Sequence, residues 1–105
     1  MLRVYGEVLE VIRELRDAMA AIEKKDADLA RQMRRAISSV ALNVAEAQGS
    51  RGRNGAMRFS TALGSMRETQ ACLDVAVAMA YIDSKCVYSA HKIDGICGAL
   101  YRLSR

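Results

Sequence analysis

The net charge of +4 is concentrated between residues 29 and 58, where six arginines stand against one glutamate. Arg31, Arg34 and Arg35 lie at i, i+3 and i+4, so a helix through them sets all three on one side. Arg51, Arg53 and Arg58 follow in and after a glycine-rich stretch. Arginine outnumbers lysine twelve to four. A planar guanidinium makes paired contacts to phosphate or carboxylate that the point charge of lysine cannot. Two partners suit that chemistry. One is the backbone of RNA or DNA. The other is the acidic set of residues 1–28, seven carboxylates against five basic side chains, which would form salt bridges within the fold or between subunits.

A second pattern overlaps the first. Gln32, Arg35, Ser39, Asn43 and Glu46 step by three or four residues and share one helical face. Ser65, Glu68 and Cys72 repeat the spacing further on, with Gly64 and Ser65 small enough to let two helices approach closely. The expectation is a hydrogen-bonded cluster between these two segments, built from Ser39, Asn43, Glu46, Ser65 and Glu68 with Arg35 or Arg67. A partly buried carboxylate requires such a partner to offset its desolvation. The role expected of the cluster is structural, fixing helix register or a subunit contact.

Other chemistry finds no support in the pattern. Gly49-Ser-Arg-Gly-Arg-Asn-Gly55 lacks the Gly-Lys-Ser/Thr ending of a phosphate-binding loop, and no strand precedes it. His91 is the lone histidine and has Tyr88 three residues before it, so the Glu-x-x-His pattern of di-iron bundles is absent. Cys72, Cys86 and Cys97 are odd in number without a Cys-x-x-Cys pair, which fits apolar thiols in a reducing compartment better than a disulfide framework or zinc site. Tyr5, Phe59, Tyr81, Tyr88 and Tyr101 are too scattered for a base-stacking platform. No catalytic residue, cofactor or metal is expected, and the chain reads as a non-enzymatic protein.

The elements that position these residues are helices. The 105 residues suffice for one domain spanning 1–105, and 51% hydrophobic composition excludes disorder. Proline is absent, so no ring interrupts a helix. Val4, Val8, Ile12, Leu15, Met19 and Ile22 mark a helix over about 2–24. Leu29, Met33, Ala36, Ile37, Val40 and Val44 mark one over about 28–48, with Asp26 or Asp28 as its N-cap. Phe59, Leu63, Met66, Leu73, Val77 and Ala80 line a third over about 56–82. Val87, Ala90, Ile93, Cys97, Leu100 and Leu103 line a fourth, capped by Asp83 or Ser84 and ending near 103. The predicted fold is all-α, an antiparallel up-down-up-down four-helix bundle. Leu9, Val11, Ile96 and Tyr101 fall off the main stripes and are the candidate subunit contacts. The N-terminus has acids and no apolar core of a signal peptide, and no apolar run reaches membrane-spanning length, so no membrane contact is expected.

Two ordered segments carry a resemblance. Gln32-Met-Arg-Arg-Ala, Ser39-Val and Asn43-Val-Ala-Glu46 form the first; Ala62-x-Gly64-Ser65-x-x-Glu68, with the helix end Ala80-Tyr81-Ile82, forms the second. Together they resemble the bacterial four-helix-bundle proteins first noticed in intervening sequences of large-subunit ribosomal RNA genes. More distantly, they resemble the accessory variability protein of diversity-generating retroelements. The resemblance covers about residues 4–103. It implies a cytoplasmic homo-oligomer, typically a ring of five, and RNA or DNA binding; the retroelement relatives also bind a reverse transcriptase. One departure stands out. The family commonly has Gly directly after the glutamate, whereas Ala47-Gln48-Gly49 follows Glu46 here, so the second helix is expected to run about a turn longer. The competing expectation is a self-assembling scaffold that binds a protein partner and no nucleic acid.

Overall fold

The computed structural model describes residues 2–86 and 90–105. Four helices carry the chain: α1 (Arg3–Lys25), α2 (Ala27–Gln48), α3 (Gly52–Ala78) and α4 (Ala90–Leu103), with a short 3₁₀ turn at Ser84–Cys86. Each helix packs on the next, α4 closes on α1, and the α2–α3 seam is the most extensive. The result is an up-down-up-down bundle measuring 42 × 23 × 19 Å. Its antiparallel sense is pinned at the ends. The Leu2 backbone N–H donates to Gln48 Oε1 at 2.6 Å, joining the start of α1 to the end of α2.

The core is aliphatic and contiguous. Leu15, Ile22, Met33, Ile37, Met66, Leu73, Ile93, Ile96 and Leu100 are its largest fully buried side chains. The predicted stripes are right in period and off by a fraction of a turn. In α1 the buried set is Val4, Val8, Val11, Leu15, Ala18, Met19 and Ile22, while Ile12 is half-buried at the edge. In α4, Ile96 is buried and Cys97 is half-buried. Val11 and Ile96, expected as subunit contacts, are therefore core residues. The physical reason is that a 3.6-residue period leaves two adjacent positions competing for one face, and the neighbouring helices choose between them. Leu9 is half-buried against the core and Tyr101 is exposed.

The connections are tighter than expected. Asp26 alone separates α1 from α2 and caps the latter, its Oδ1 accepting the Leu29 N–H at 3.0 Å. Its other carboxylate oxygen accepts the Tyr81 hydroxyl at 3.2 Å, tying this corner to the chain beyond α3. The loop predicted over Gly49–Gly55 is shorter, because α3 already begins at Gly52. Gly52 takes φ +64°, and a Cβ on Gly55 would sit 3.3 Å from the Ser50 carbonyl oxygen. These two glycines turn the chain and let the loop fold back on the helix. At its other end α3 stops at Ala78 rather than 82. Ala80 adopts φ +60°, and the Tyr81 N–H donates to the Ala76 carbonyl at 2.8 Å, a Schellman ending with alanine where glycine is usual. Asp83 then accepts the Lys85 N–H at 2.9 Å, so it caps the short turn and not α4, which starts at Ala90. The predicted core position Val87 and Tyr88 lie outside the described residues.

Candidate nucleic-acid interface

The seam between α2 and α3 gathers part of the expected polar cluster. Ser65 Oγ donates to Ser39 Oγ at 2.9 Å, across the two helices. Asn43 Nδ2 donates to the Ser39 carbonyl at 2.9 Å and to its hydroxyl at 3.1 Å. Arg58 Nη1 reaches Asn43 Oδ1 at 3.4 Å, a long contact that extends the row. One turn along α3, the buried Thr69 hydroxyl donates to the Ser65 carbonyl at 2.9 Å. Gln32 Nε2 lies 3.4 Å from Glu68 Oε2 at the far end of the seam. Among the described residues, no buried side-chain nitrogen or oxygen lacks a partner.

Two expected members are not part of it. The Glu46 side chain is exposed and makes no hydrogen bond or ion pair among the described residues, its backbone carbonyl alone accepting the Ser50 hydroxyl at 3.1 Å, and the Arg35 side chain makes none either. The cluster is thus one of hydroxyls and amides, with Arg58 in the place foreseen for Arg35 or Arg67. Small side chains fit here because the two helices are close. A glutamate so near the axis would have to be desolvated, and at position 46 it turns to water instead. Position 58 was legible only as basic; its pairing with Asn43 depends on how α3 lies against α2.

The six arginines divide by partner. Arg31 pairs with Asp28 on its own helix at 2.7 Å, and Arg34 pairs with Glu23 of α1 at 2.5 Å. Arg58 has only the amide of Asn43. Arg35, Arg51 and Arg53 are exposed, with no carboxylate partner among the described residues. The acidic set of residues 1–28 therefore takes up two arginines of the six, and only Arg34 pairs across to α1. Along α2 the rise per residue separates Arg35 from the Arg51 end by roughly 20 Å, so the arginines form a spaced track and not one compact patch. At one end Arg31, Arg34 and Arg35 line an open hollow with Ser38 and Glu23. At the other, Arg58 borders a hollow with Ser50, Asn54 and Thr61.

Elsewhere the surface is quieter. Lys92 of α4 bridges Glu10 and Glu14 of α1 at 3.3 and 2.8 Å, and these contacts raise its pKa, the Glu14 hydrogen bond most. Burial pushes up the thiols of Cys72 and Cys97, so both are protonated at neutral pH. Among the described residues no three His, Cys, Asp or Glu side chains gather as a metal site. No helix among them is long and apolar enough to cross a membrane. Sequence reasoning missed one feature of this surface. Leu42, Met57, Val75 and Met79 are 66%, 61%, 47% and 58% exposed, all on α2 and α3 or at the end of α3.

Fold and surface together define a small helical bundle that offers an outer face carrying arginines and apolar side chains. The chain belongs to the 23S rRNA-intervening sequence protein family, whose model matches residues 1–100. It is similar in fold to a Bacteroides thetaiotaomicron protein of unknown function from the S23 ribosomal protein family. The two share 20% identity and a TM-score of 0.85, over 97% of this chain and 98% of that one. No curated protein matches the chain.

Proposed function

We propose that this protein is a non-enzymatic, self-associating bundle that binds nucleic acid through the arginines of α2 and the start of α3. The observation that carries the reading is the exposed track of Arg35, Arg51 and Arg53, none held by a carboxylate among the described residues. Guanidinium groups free to leave water for phosphate supply the sequence-independent part of nucleic-acid affinity. One chain offers few contacts, and several copies in one assembly multiply them on a single strand. The description of the family, a 23S rRNA-intervening sequence protein, favours RNA over DNA as the strand. An accessory role beside a reverse transcriptase is supported by the sequence resemblance alone, as is a ring of five subunits.

The test is fluorescence anisotropy of labelled single-stranded RNA, single-stranded DNA and duplex DNA, titrated at low and near-physiological salt. Submicromolar binding that weakens steeply with salt is expected. No binding at low salt overturns the reading. A second reading, a scaffold that meets only proteins, is favoured by the exposed Leu42, Met57, Val75 and Met79.

A further inference from the structure

The hollow over the first turns of α2 gathers three arginines on one side of the helix. Ala27, Arg31, Arg34, Arg35 and Ser38 fall within about 100° of one another around its axis. The small side chain of Ala27 leaves room between them, and Glu23 of α1 walls the near side. The hollow is open, with a volume of about 370 Å³, at the small end of ligand clefts. The Arg35 side chain and the exposed Ser38 hydroxyl make no hydrogen bond or ion pair among the described residues. Arg31 and Arg34 are held only by the water-screened carboxylates of Asp28 and Glu23, pairs that a more highly charged anion displaces at little cost.

Carboxylates bound the hollow on both flanks. Glu23 closes it toward α1, and toward α3 the same Arg31 and Arg35 border a second hollow with Asp28, Gln32 and Glu68. Phosphates that follow one another across this part of the bundle therefore run onto negative charge, whereas a group at the end of a strand needs no room beyond itself. Charge selects the same group. A phosphodiester inside a strand carries one negative charge. A phosphomonoester at its end carries close to two at neutral pH, with three strong acceptor oxygens. Three guanidiniums and a hydroxyl around one hollow supply more donors than the two free oxygens of a diester take up. At the other end of the track, Arg58 is the one arginine lining its hollow among the described residues.

We infer that the hollow of Arg31, Arg34 and Arg35 holds the terminal phosphomonoester of a single-stranded RNA, the rest of the strand leaving along the track toward Arg58. The inference rests on the nucleic-acid part of the reading above and deepens it by naming the group this end of the track takes. Short unlabelled RNAs of one sequence, with a 5′-phosphate, a 3′-phosphate or hydroxyls at both ends, test it. Each is set to displace a labelled hydroxyl-ended strand from the full chain at low salt, read by anisotropy. One of the phosphorylated strands is expected to compete roughly tenfold better than the hydroxyl strand. The triple variant Arg31→Gln/Arg34→Gln/Arg35→Gln should compress that preference to within about twofold. Arg51→Gln/Arg53→Gln, at the other end of the track, should weaken all three strands and leave the preference intact. Circular dichroism checks that both variants remain helical, as glutamine in place of an exposed arginine allows. Equal competition by the three strands overturns the assignment alone, and that comparison uses the parent chain whether or not the variants fold. A preference that survives the triple variant overturns it as well. So does a nucleoside 5′-monophosphate that competes as well as the phosphorylated strand, since the hollow would then serve a free nucleotide. A parent chain that binds none of the strands refutes nucleic-acid binding itself and this inference with it.

Discussion

Arg35 and Arg34 are adjacent in sequence yet should contribute unequally to nucleic-acid binding, and the inequality follows from their partners. Arg34 is held by Glu23, and both side chains are about half exposed. An ion pair so screened by water stabilises by about 0–1 kcal/mol, which phosphate must displace before Arg34 can contribute. Arg35 has no such pair to give up. On a single strand each phosphate contact adds about 0.7 to the slope of log K against log salt. Arg35→Ala should therefore flatten the slope by about 0.7. Its affinity deficit should be about 2.6-fold larger at 50 mM than at 200 mM salt. Arg34→Ala should lose less. Glu23→Gln, which frees Arg34, should tighten binding by up to about fivefold at low salt. Anisotropy titrations of labelled single-stranded RNA at four salt concentrations read all three effects. Equal slopes for the parent and Arg35→Ala, or weaker binding by Glu23→Gln, would refute the reasoning even if the parent binds RNA.

Four predictions concern the scaffold, each read at fixed protein concentration because self-association contributes to apparent stability. Ala80→Gly should stabilise by about 0.5–1 kcal/mol, since the alanine at φ +60° sits where glycine is unstrained; a melting temperature raised by roughly 2–4 °C shows it. Asp26→Ala should cost about 1 kcal/mol through the lost α2 cap alone, and Asp26→Asn should recover most of that in urea unfolding. Leu100→Ala in the 14-residue α4 should cost about 2–5 kcal/mol, visible as a lower urea midpoint. The pKa of Tyr81 is raised by desolvation first, then by its hydrogen bond to Asp26 and that carboxylate's charge. The folded state thus holds the phenol proton more tightly than the unfolded state does. The stabilisation is complete below the ordinary tyrosine value near 10 and is lost as pH rises through the higher folded value. Urea midpoints measured from pH 8 to 11 should fall more steeply for the parent than for Tyr81→Phe.

Four helices, their order and their antiparallel packing were legible in the residues alone. Hydrophobic spacing, the absence of proline and the Asp26 corner are local signals, and each acts within one or two helical turns. The end of α2 was legible for the same reason, since nothing in Ala47-Gln48 stops a helix before Gly49, and α2 runs two residues past Glu46 to Gln48. What the sequence could not decide was which of two adjacent positions a helix turns inward. Val11 over Ile12 and Ile96 over Cys97 were settled by the neighbours each helix packs against. Asp83, expected to cap α4, instead caps the nearer turn at Ser84–Cys86, accepting the Lys85 N–H. In the candidate interface, residue type identified the arginines, but only the tertiary structure divided them into held and unheld. Arg34 meets Glu23 because α1 and α2 are antiparallel, and Arg58 meets Asn43 because α3 lies along α2. Such partnerships join residues distant in the chain. Their energy depends on a separation of a few ångströms that no local pattern encodes, so charge and period are properties of the sequence, and pairing is a property of the fold.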